Sequence, residues 1–287
     1  MSDLESILRK PITVDEKSSL SHVISELLKN NISRLVISDE NSSPVGIISE
    51  KDIGLFLLED DTEKNLDQIH VSQIMNDLIS VNDSMSIEQC VELMLDKGIG
   101  SLAVSSNNNK GLVGIITKTD IAQHYAKNSA GKHKVGDVMT ISYISANSDD
   151  PLSSVVSKMI DEKISRIFIK NRIGEPEGII TFRDLFHIAL EQGNSDSVLD
   201  NSEQTISIIF TRKGFLSDSG FGNTMLAKDV MTKTFEFVDF DEDISVACDT
   251  MAQNRINGIG VRIDGKLGGV ISKTDVLKAI YLDHQTR

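Results

Sequence analysis

The chain has 287 residues, which predicts about two domains of ordinary size. Its hydrophobic share of 39% and charged share of 25% are those of a globular protein and exclude a disordered, collagen-like or coiled-coil chain. The 43 acidic and 29 basic side chains give a formal net charge of −14, so most of the surface should repel nucleic acid phosphates and anionic membranes. We therefore expect neither a nucleic-acid partner nor a membrane partner.

The sequence carries no signal for a metal site or for membrane targeting. Cys90 and Cys248 are too few for a disulfide framework or a four-cysteine zinc site, and the six histidines lack the spacing of metal ligands. The first ten residues are polar, and no apolar run approaches the roughly 18 residues of a membrane-spanning helix. We predict a soluble, cytoplasmic protein without a metal, whose cysteines are small core residues.

A short motif, Gly-apolar-apolar-(Ser/Thr)-x-x-Asp, occurs four times in the chain. Its copies are Gly46–Asp52, Gly114–Asp120, Gly178–Asp184 and Gly269–Asp275. The final Asp recurs at spacings of 68, 64 and 91 residues. Such self-similarity predicts four structural repeats, with one insertion before the last.

The elements that precede the motif recur in the same order. An apolar pair opens each repeat: Ile7-Leu8, Ile74-Met75, Val138-Met139 and Val230-Met231. A short strand follows, and then apolar residues at i, i+3, i+4, i+7 and i+8 predict a helix with one buried face. These stripes are Leu20-Val23-Ile24-Leu27-Leu28, Ile87-Cys90-Val91-Met94-Leu95, Leu152-Val155-Val156-Met159-Ile160 and Ile244-Ala247-Cys248-Met251-Ala252.

A strand hairpin completes each repeat. An Ile stands twelve residues after the start of each stripe, at Ile32, Ile99, Ile164 and Ile256. The apolar segments 35–37, 102–104, 167–169 and 259–261 come next, and polar turns lead from them into the motif strand. Each repeat therefore predicts strand, helix, strand, turn, strand and helix, which is an α/β unit of about 60 residues that is marginal alone.

These elements predict repeats at residues 1–65, 66–130, 131–192 and 226–287, with an insertion at 193–225. We expect repeats 1 and 2 to form one module and repeats 3 and 4 another, with a boundary near 127–132. The insertion includes Thr205–Phe210, a plausible extra strand. It is either an arm that covers a ligand or docks a second protomer, or a linker that packs on its own domain.

With these features in register, the sequence resembles a four-repeat CBS-domain protein over nearly its whole length. The resemblance implies an α/β fold with two pseudo-symmetric tandem modules in a disc-like assembly, as in the regulatory subunit of AMP-activated kinase. It also implies a regulatory role in which an adenine nucleotide binds in clefts between paired repeats.

The Ser/Thr-x-x-Asp part of the motif has a purely structural interpretation. In a capping box, Ser49, Thr117, Thr181 or Ser272 would cap a helix, with the Asp three residues later. Two observations favour a further role. All four acids are Asp although Glu caps equally well, and the motif glycine permits close approach of a backbone or a ligand.

The resemblance assigns a ligand to the same residues. A carboxylate can accept two hydrogen bonds from the cis hydroxyls of a ribose. By resemblance, the carboxylates of the motif hold ribose while the Ser or Thr contacts ribose or phosphate; the carboxylates are Asp52, Asp120, Asp184 and Asp275. The adenine would lie near four residues that follow the apolar pairs: Ile12, Ile79, Tyr143 and Phe235.

Phosphate requires positive charge, which is scarce in this chain. Arg34 and Arg166 stand at the start of the central strand, where CBS proteins commonly place a phosphate-binding base, whereas Ser101 and Gly258 depart from this pattern. We therefore expect one site of each pair to bind polyphosphate well. Further candidates at the motif helices, which are equally compatible with solvated surface charge, are Lys51, Lys118, Arg183 and Lys273.

No phosphate-loop, dinucleotide-binding, nucleophile-elbow or metal motif is present, and the repeats leave no room for a catalytic domain, so we do not expect an enzyme. The main hypothesis is an energy-sensing regulatory module, a possible homodimer, that binds AMP, ADP or ATP and signals to an unidentified regulated protein. The alternatives are a binder of an adenine dinucleotide or a coenzyme A-like ligand, and a structural scaffold with degenerate pockets.

Overall fold

Each repeat contributes its own series of helices and strands to the structure, a computed structural model that describes residues 3–59, 64–106, 112–192 and 223–285. Repeat 1 contains α1 (Asp3–Ile7), β1 (Thr13–Asp15), α2 (Leu20–Asn30), β2 (Arg34–Ser38), β3 (Pro44–Ser49) and α3 (Glu50–Glu59). Repeat 2 contains two 3₁₀ turns (Leu66–Gln68, Val71–Gln73), β4 (Asn76–Asp77), β5 (Ser80–Asn82), α4 (Ile87–Asp96), β6 (Ser101–Ser105), β7 (Leu112–Thr117) and α5 (Lys118–Asn128).

The second half of the chain follows the same plan. Repeat 3 contains α6 (Val135–Val138), β8 (Ser145–Asn147), α7 (Leu152–Asp161), β9 (Arg166–Lys170), β10 (Pro176–Thr181) and α8 (Phe182–Gln192). Repeat 4 contains α9 (Ala227–Val230), β11 (Phe237–Asp239), α10 (Ile244–Gln253), β12 (Gly258–Ile263), β13 (Lys266–Ser272) and α11 (Lys273–Gln285). The predicted strand at 205–210 lies outside the described residues.

Every repeat has a small mixed sheet, which confirms the α/β prediction. The short first strand is parallel to the central strand, and the central strand is antiparallel to the motif strand. The parallel pair needs a crossover, and the predicted amphipathic helix supplies it. In repeat 1 the sheet gains a fourth strand, β4, which pairs with β3.

The predicted helix stripes form the buried faces of the crossover helices. In each stripe the first four residues are buried; in α2, for example, these are Leu20, Val23, Ile24 and Leu27. The fifth residue lies at the edge of the face, and Leu28 is 37% exposed. Each repeat therefore has its own hydrophobic core cluster, to which a neighbouring repeat adds side chains such as Phe186 in the first cluster and Tyr125 in that of repeat 4.

The conserved spacing of twelve residues to the Ile is explained by the ends of these helices. The residue before the Ile has a positive φ in all four repeats: Asn31, Gly98, Lys163 and Arg255. The N–H of the Ile then donates to the carbonyl five residues back, as Ile256 does to Met251 at 3.0 Å. This is a Schellman ending, in which glycine is the preferred left-handed residue. Only repeat 2 has a glycine at this position.

The segment that precedes the first strand of a repeat, which we call its leader, packs on the neighbouring repeat. The leader of repeat 1 bridges to β7 of repeat 2 at Arg9 and Ile115, and the leader of repeat 2 pairs with β3 of repeat 1. Repeats 3 and 4 exchange leaders in the same way, through Thr140 on β13 and Thr232 on β10. This exchange within repeats 1 and 2 and within repeats 3 and 4 confirms their tandem relation.

The compact units nevertheless combine alternate repeats. One unit contains the described residues of Met1–Pro11, Ile79–Tyr143 and Phe235–Arg287, and the other those of Ile12–Leu78 and Ile144–Thr234. This grouping differs from the predicted halves of the chain, although the exchanged leaders keep repeats 1 and 2, and repeats 3 and 4, in tandem. The cause is helix packing: α3 packs on α8, α5 packs on α10 and α11, and α4 packs on α11.

The glycine of each motif is the point at which the exchanged leader approaches the strand. A Cβ on Gly46 would lie 2.5 Å from Met75 Sδ, and one on Gly178 would lie 2.5 Å from Met231 Sδ. A Cβ on Gly114 would lie 3.1 Å from the Arg9 carbonyl oxygen. The close approach expected at these glycines is thus made by the leader.

We predict that Arg255→Gly raises the free energy of unfolding by about 1 kcal/mol, because glycine adopts the left-handed region without the Cβ clash. Gly98→Ala is the reverse control, since a Cβ there meets nothing within 4 Å and only the backbone conformation is penalised. Chemical denaturation measures both. Equal stability of Arg255→Gly and the wild type would contradict a left-handed conformation at Arg255.

We predict that Gly178→Ala lowers the free energy of unfolding by about 1–3 kcal/mol, because the added methyl overlaps the Met231 side chain. Gly54→Ala is the control, since its nearest neighbour would be 3.6 Å away. In denaturation experiments the double variant Gly178→Ala/Met231→Ala should lose less stability than the sum of the losses in Gly178→Ala and Met231→Ala. Additive losses would argue against the leader contact.

Candidate functional site

The four Ser/Thr-x-x-Asp turns form the same hydrogen-bonded structure at the junction of motif strand and helix. In each, the Asp Oδ2 accepts the Ser/Thr backbone N–H at 2.7–2.9 Å and the Ser/Thr hydroxyl at 2.5–2.7 Å. One carboxylate oxygen therefore accepts the backbone N–H at the start of the helix, as the capping interpretation requires. The cap uses only that oxygen.

The second carboxylate oxygen, Oδ1, has a different environment in each repeat. Asp120 Oδ1 accepts from Arg9 Nε at 3.0 Å, and Asp275 Oδ1 accepts from Lys278 Nζ at 2.8 Å. Asp184 Oδ1 accepts from Thr232 Oγ1 at 3.1 Å. No residue in the described part of the chain donates a hydrogen bond to Oδ1 of Asp52. Capping and ligand binding are thus compatible, because they use different oxygens of one carboxylate.

The predicted phosphate-binding arginines lie beside these turns. In the β2–β3 register Arg34 is directly opposite Ser49, and in the β9–β10 register Arg166 is opposite Thr181. Residues opposite each other in an antiparallel pair have Cβ atoms about 4.5–5.5 Å apart. Repeats 1 and 3 therefore have a half-buried arginine whose Cβ is next to the turn, whereas the equivalent residues of repeats 2 and 4 are Ser101 and Gly258.

The other predicted phosphate ligands contact a second repeat. Arg183 donates to both carboxylate oxygens of Glu50, at 3.0 and 3.3 Å. Lys51 Nζ lies 5.3 Å from the centroid of the Phe182 ring. These contacts join repeats 1 and 3, and they arise because the N-termini of α3 and α8 face each other across the packed helices.

The same arrangement joins repeats 2 and 4. Lys118 Nζ donates to Thr274 Oγ1 at 3.0 Å, and the buried Lys273 Nζ donates reciprocally to Thr119 Oγ1 at 2.9 Å. Lys273 also donates to Asn257 at 3.1 Å. Helix contacts between repeats therefore account for the positions of Lys118, Arg183 and Lys273.

Two of the four residues predicted to face adenine are one residue away from the positions that are structurally equivalent to the other two. The carbonyls of Ile12 and Ile79 accept the N–H of Val36 and Ala103 in the central strands. In repeats 3 and 4 the equivalent carbonyls belong to Ile144 and Glu236, at 3.3 and 3.0 Å from Phe168 N and Gly260 N. Tyr143 and Phe235 thus precede the equivalent positions, and a shift of one residue in an extended segment reverses the side-chain direction.

Sequence reasoning missed three residues that contact the motif carboxylates: Arg9, Thr232 and Lys278. Arg9 and Thr232 both follow the second residue of an apolar pair, so aligning the leaders of the four repeats would have identified this position. Its other occupants are Asn76 and Thr140. Lys278 is three residues after Asp275 on α11, a spacing that places both side chains on one helix face.

The cysteines occupy core positions. Cys90 and Cys248 are buried in the faces of α4 and α10, and burial raises the pKa of their thiols to about 11 and about 12. Among the residues that the structure describes, no group of three or more His, Cys, Asp or Glu side chains could hold a metal ion. Within the same residues, no helix combines the length and the apolarity that crossing a membrane requires.

The family model for the CBS domain matches residues 2–59, 71–127, 135–191 and 227–282, and the chain belongs to this family. The uncharacterized 33.4 kDa protein in the ribosomal RNA operon of Thermofilum pendens is 24% identical over 96% of this chain and 92% of its own length. Protein MJ1225 of Methanocaldococcus jannaschii has a similar fold, with a TM-score of 0.77 at 21% identity, covering 96% of this chain and 98% of that one.

Other relatives share only part of their length with this chain. The uncharacterized protein MK0525 of Methanopyrus kandleri is 33% identical over 40% of this chain, and the match spans 58% of that relative. Relatives named as enzymes, including homoserine O-acetyltransferases and inosine-5′-monophosphate dehydrogenase, match over 20–30% of their own lengths.

We predict that Arg183 and Glu50 are energetically coupled. Arg183→Gln and Glu50→Gln should each destabilise the protein, and their double-mutant cycle should give a coupling of about 1 kcal/mol, because the arginine is 38% exposed and partly screened. Denaturant unfolding of the four proteins measures it. Zero coupling, together with weaker adenine nucleotide binding by Arg183→Gln, would instead favour the phosphate role.

Proposed function

We propose that this protein is a regulatory module that binds adenosine-containing ligands at its Ser/Thr-x-x-Asp turns. The observation that carries the proposal is the division of each carboxylate: Oδ2 caps the helix, whereas Oδ1 takes no part in the cap and can accept from a ribose hydroxyl. Repeat 1 illustrates it best, since Asp52 Oδ1 accepts nothing from the described residues and Arg34 lies opposite Ser49.

Electrostatics supports an anionic ligand at repeats 1 and 3. The net charge of −14 disfavours anion binding over most of the surface, so a phosphate needs a local cation. Arg34 and Arg166 provide one beside each turn, and a guanidinium can bind phosphate through two parallel hydrogen bonds. AMP, ADP, ATP and adenine dinucleotides all share the ribose and phosphate groups that this arrangement accommodates.

The exchanged leaders provide a route from ligand to partner. Thr232, in the leader of repeat 4, donates to Asp184 Oδ1, the same oxygen that a ribose hydroxyl would use. Ligand and leader would therefore meet at that oxygen, and binding would favour one arrangement of the leader. A regulated protein that recognises one arrangement would then respond to the ligand concentration.

A structural scaffold is the second candidate. It is favoured by the caps, which are complete without a ligand, and by the contacts of Arg183 and Lys273 between repeats. In this case the motif carboxylates only start helices and the leaders only join repeats.

The proposal is tested by mass spectrometry of small molecules released from the denatured protein, with thermal shifts measured for adenosine, AMP, ADP, ATP and adenine dinucleotides. A ligand at 100 times its Kd should stabilise the protein by about 2.7 kcal/mol. We predict that Asp52→Asn and Asp184→Asn each weaken binding about tenfold, because the ribose loses a charged acceptor while the amide oxygen still caps the helix.

Asp264→Asn is the matched control. Asp264 lies exposed in the hairpin turn of repeat 4 with a φ of 51°, a conformation that Asn adopts readily. It should leave both stability and ligand affinity unchanged. If no adenine compound is released and none shifts the melting temperature, the scaffold is the better conclusion.

A further inference from the structure

The motif carboxylates differ in their cation partners in a regular way. Repeats 1 and 3 carry Arg34 and Arg166 at the first position of the central strand, whereas the equivalent residues of repeats 2 and 4 are Ser101 and Gly258. In these two repeats a cation from elsewhere binds the carboxylate directly: Arg9 on Asp120 and Lys278 on Asp275. In addition to the basic residue within each turn, a further cation comes from the central strand in repeats 1 and 3, from the exchanged leader in repeat 2 and from α11 in repeat 4.

Arg9 is held at repeat 2 by its backbone. Its N–H donates to the Ile115 carbonyl at 3.0 Å, and its carbonyl accepts the Ile115 N–H at 2.9 Å. Its side chain is 65% exposed, while that of Asp120 is 7% exposed. The Arg9 backbone is therefore fixed by its pairing with Ile115, while most of the side chain is exposed to solvent.

An open cavity of about 340 Å³ adjoins this ion pair, between α1 and α5. Its volume is at the lower end of the range of small-molecule sites. Asp120, His124 and Lys127 line it from successive turns of one face of α5, with Arg9 on the opposite side. Lys127 is about 10 Å along the helix axis from Asp120, so the two cations lie at different distances from the carboxylate.

We propose that Arg9 makes the repeat 2 site selective for phosphorylated ligands, an inference that rests on the proposed function. In the free protein Arg9 neutralises Asp120. When a ribose hydroxyl binds Asp120 Oδ1, the guanidinium leaves that oxygen and binds the first phosphate, while longer polyphosphates extend along α5 to Lys127. A neutral nucleoside displaces Arg9 without offering it an anion, so it binds more weakly.

The test uses the full chain with Asp52→Asn, Asp184→Asn and Asp275→Asn, so that repeat 2 is the remaining intact site. The affinities for AMP and adenosine are measured by calorimetry. Arg9→Gln should lower the ratio of AMP affinity to adenosine affinity about tenfold, because the phosphate loses a charge-assisted hydrogen bond. Arg9→Lys should retain most of the ratio, which shows that the charge is what matters.

Arg172→Gln is the control, because Arg172 is 87% exposed, pairs with Asp149 and is not among the residues lining the cavity. Lys127→Gln should lower ATP affinity more than AMP affinity. An unchanged ratio in Arg9→Gln, or equal weakening of AMP and adenosine, would overturn the inference and leave the proposed function intact. If neither AMP nor adenosine binds to the triple Asp→Asn variant or to the wild-type chain, both the inference and the proposed function are overturned.

Discussion

The contact of each leader with the motif glycine of its tandem neighbour is the constraint on which the rest of the structure depends. Without a Cβ, Gly46 and Gly178 allow methionine side chains to lie against the strand backbone. Gly114 likewise lets Leu8 and the Arg9 carbonyl approach its strand. This approach fixes the position of the next leader residue, which is why Arg9 and Thr232 reach carboxylates far away in the sequence. The surroundings of the motif carboxylates in repeats 2 and 3 are therefore set by two repeats, although each turn belongs to one.

The interior of each repeat could be predicted from the sequence, because the spacing of apolar residues along a short segment shows which face of its helix is buried. The stripe of α2, for instance, lies in its core with only the edge residue Leu28 exposed. The pairing of repeats in the compact units was not predictable in this way. An apolar helix face shows that something covers it, but the residues of α3 do not specify α8 as the partner. Tyr143 precedes by one residue the position equivalent to Ile12, because an irregular segment has no periodicity from which its register can be read.

The turns show why a motif can indicate two roles at once. A cap needs one oxygen acceptor three residues after Ser or Thr, and a ribose site needs a carboxylate at a strand end, so one sequence pattern satisfies both. The sequence could place Asp52 and Ser49 together but could not assign the two oxygens. In the structure Oδ2 is committed to the helix and Oδ1 faces a variable environment.

That variable environment gives the repeats different chemistry on a common frame. One kind of cation, such as Arg34, comes from the central strand, where its backbone lies opposite Ser49 of the motif turn. A cation that already pairs with the carboxylate, as Arg9 does with Asp120, must leave the carboxylate before it can bind an anion. In a chain with a net charge of −14 such local cations decide where an anion can bind. Four copies of one turn can therefore respond to different ligands or concentrations, because their cations come from unrelated positions that can change independently of the motif.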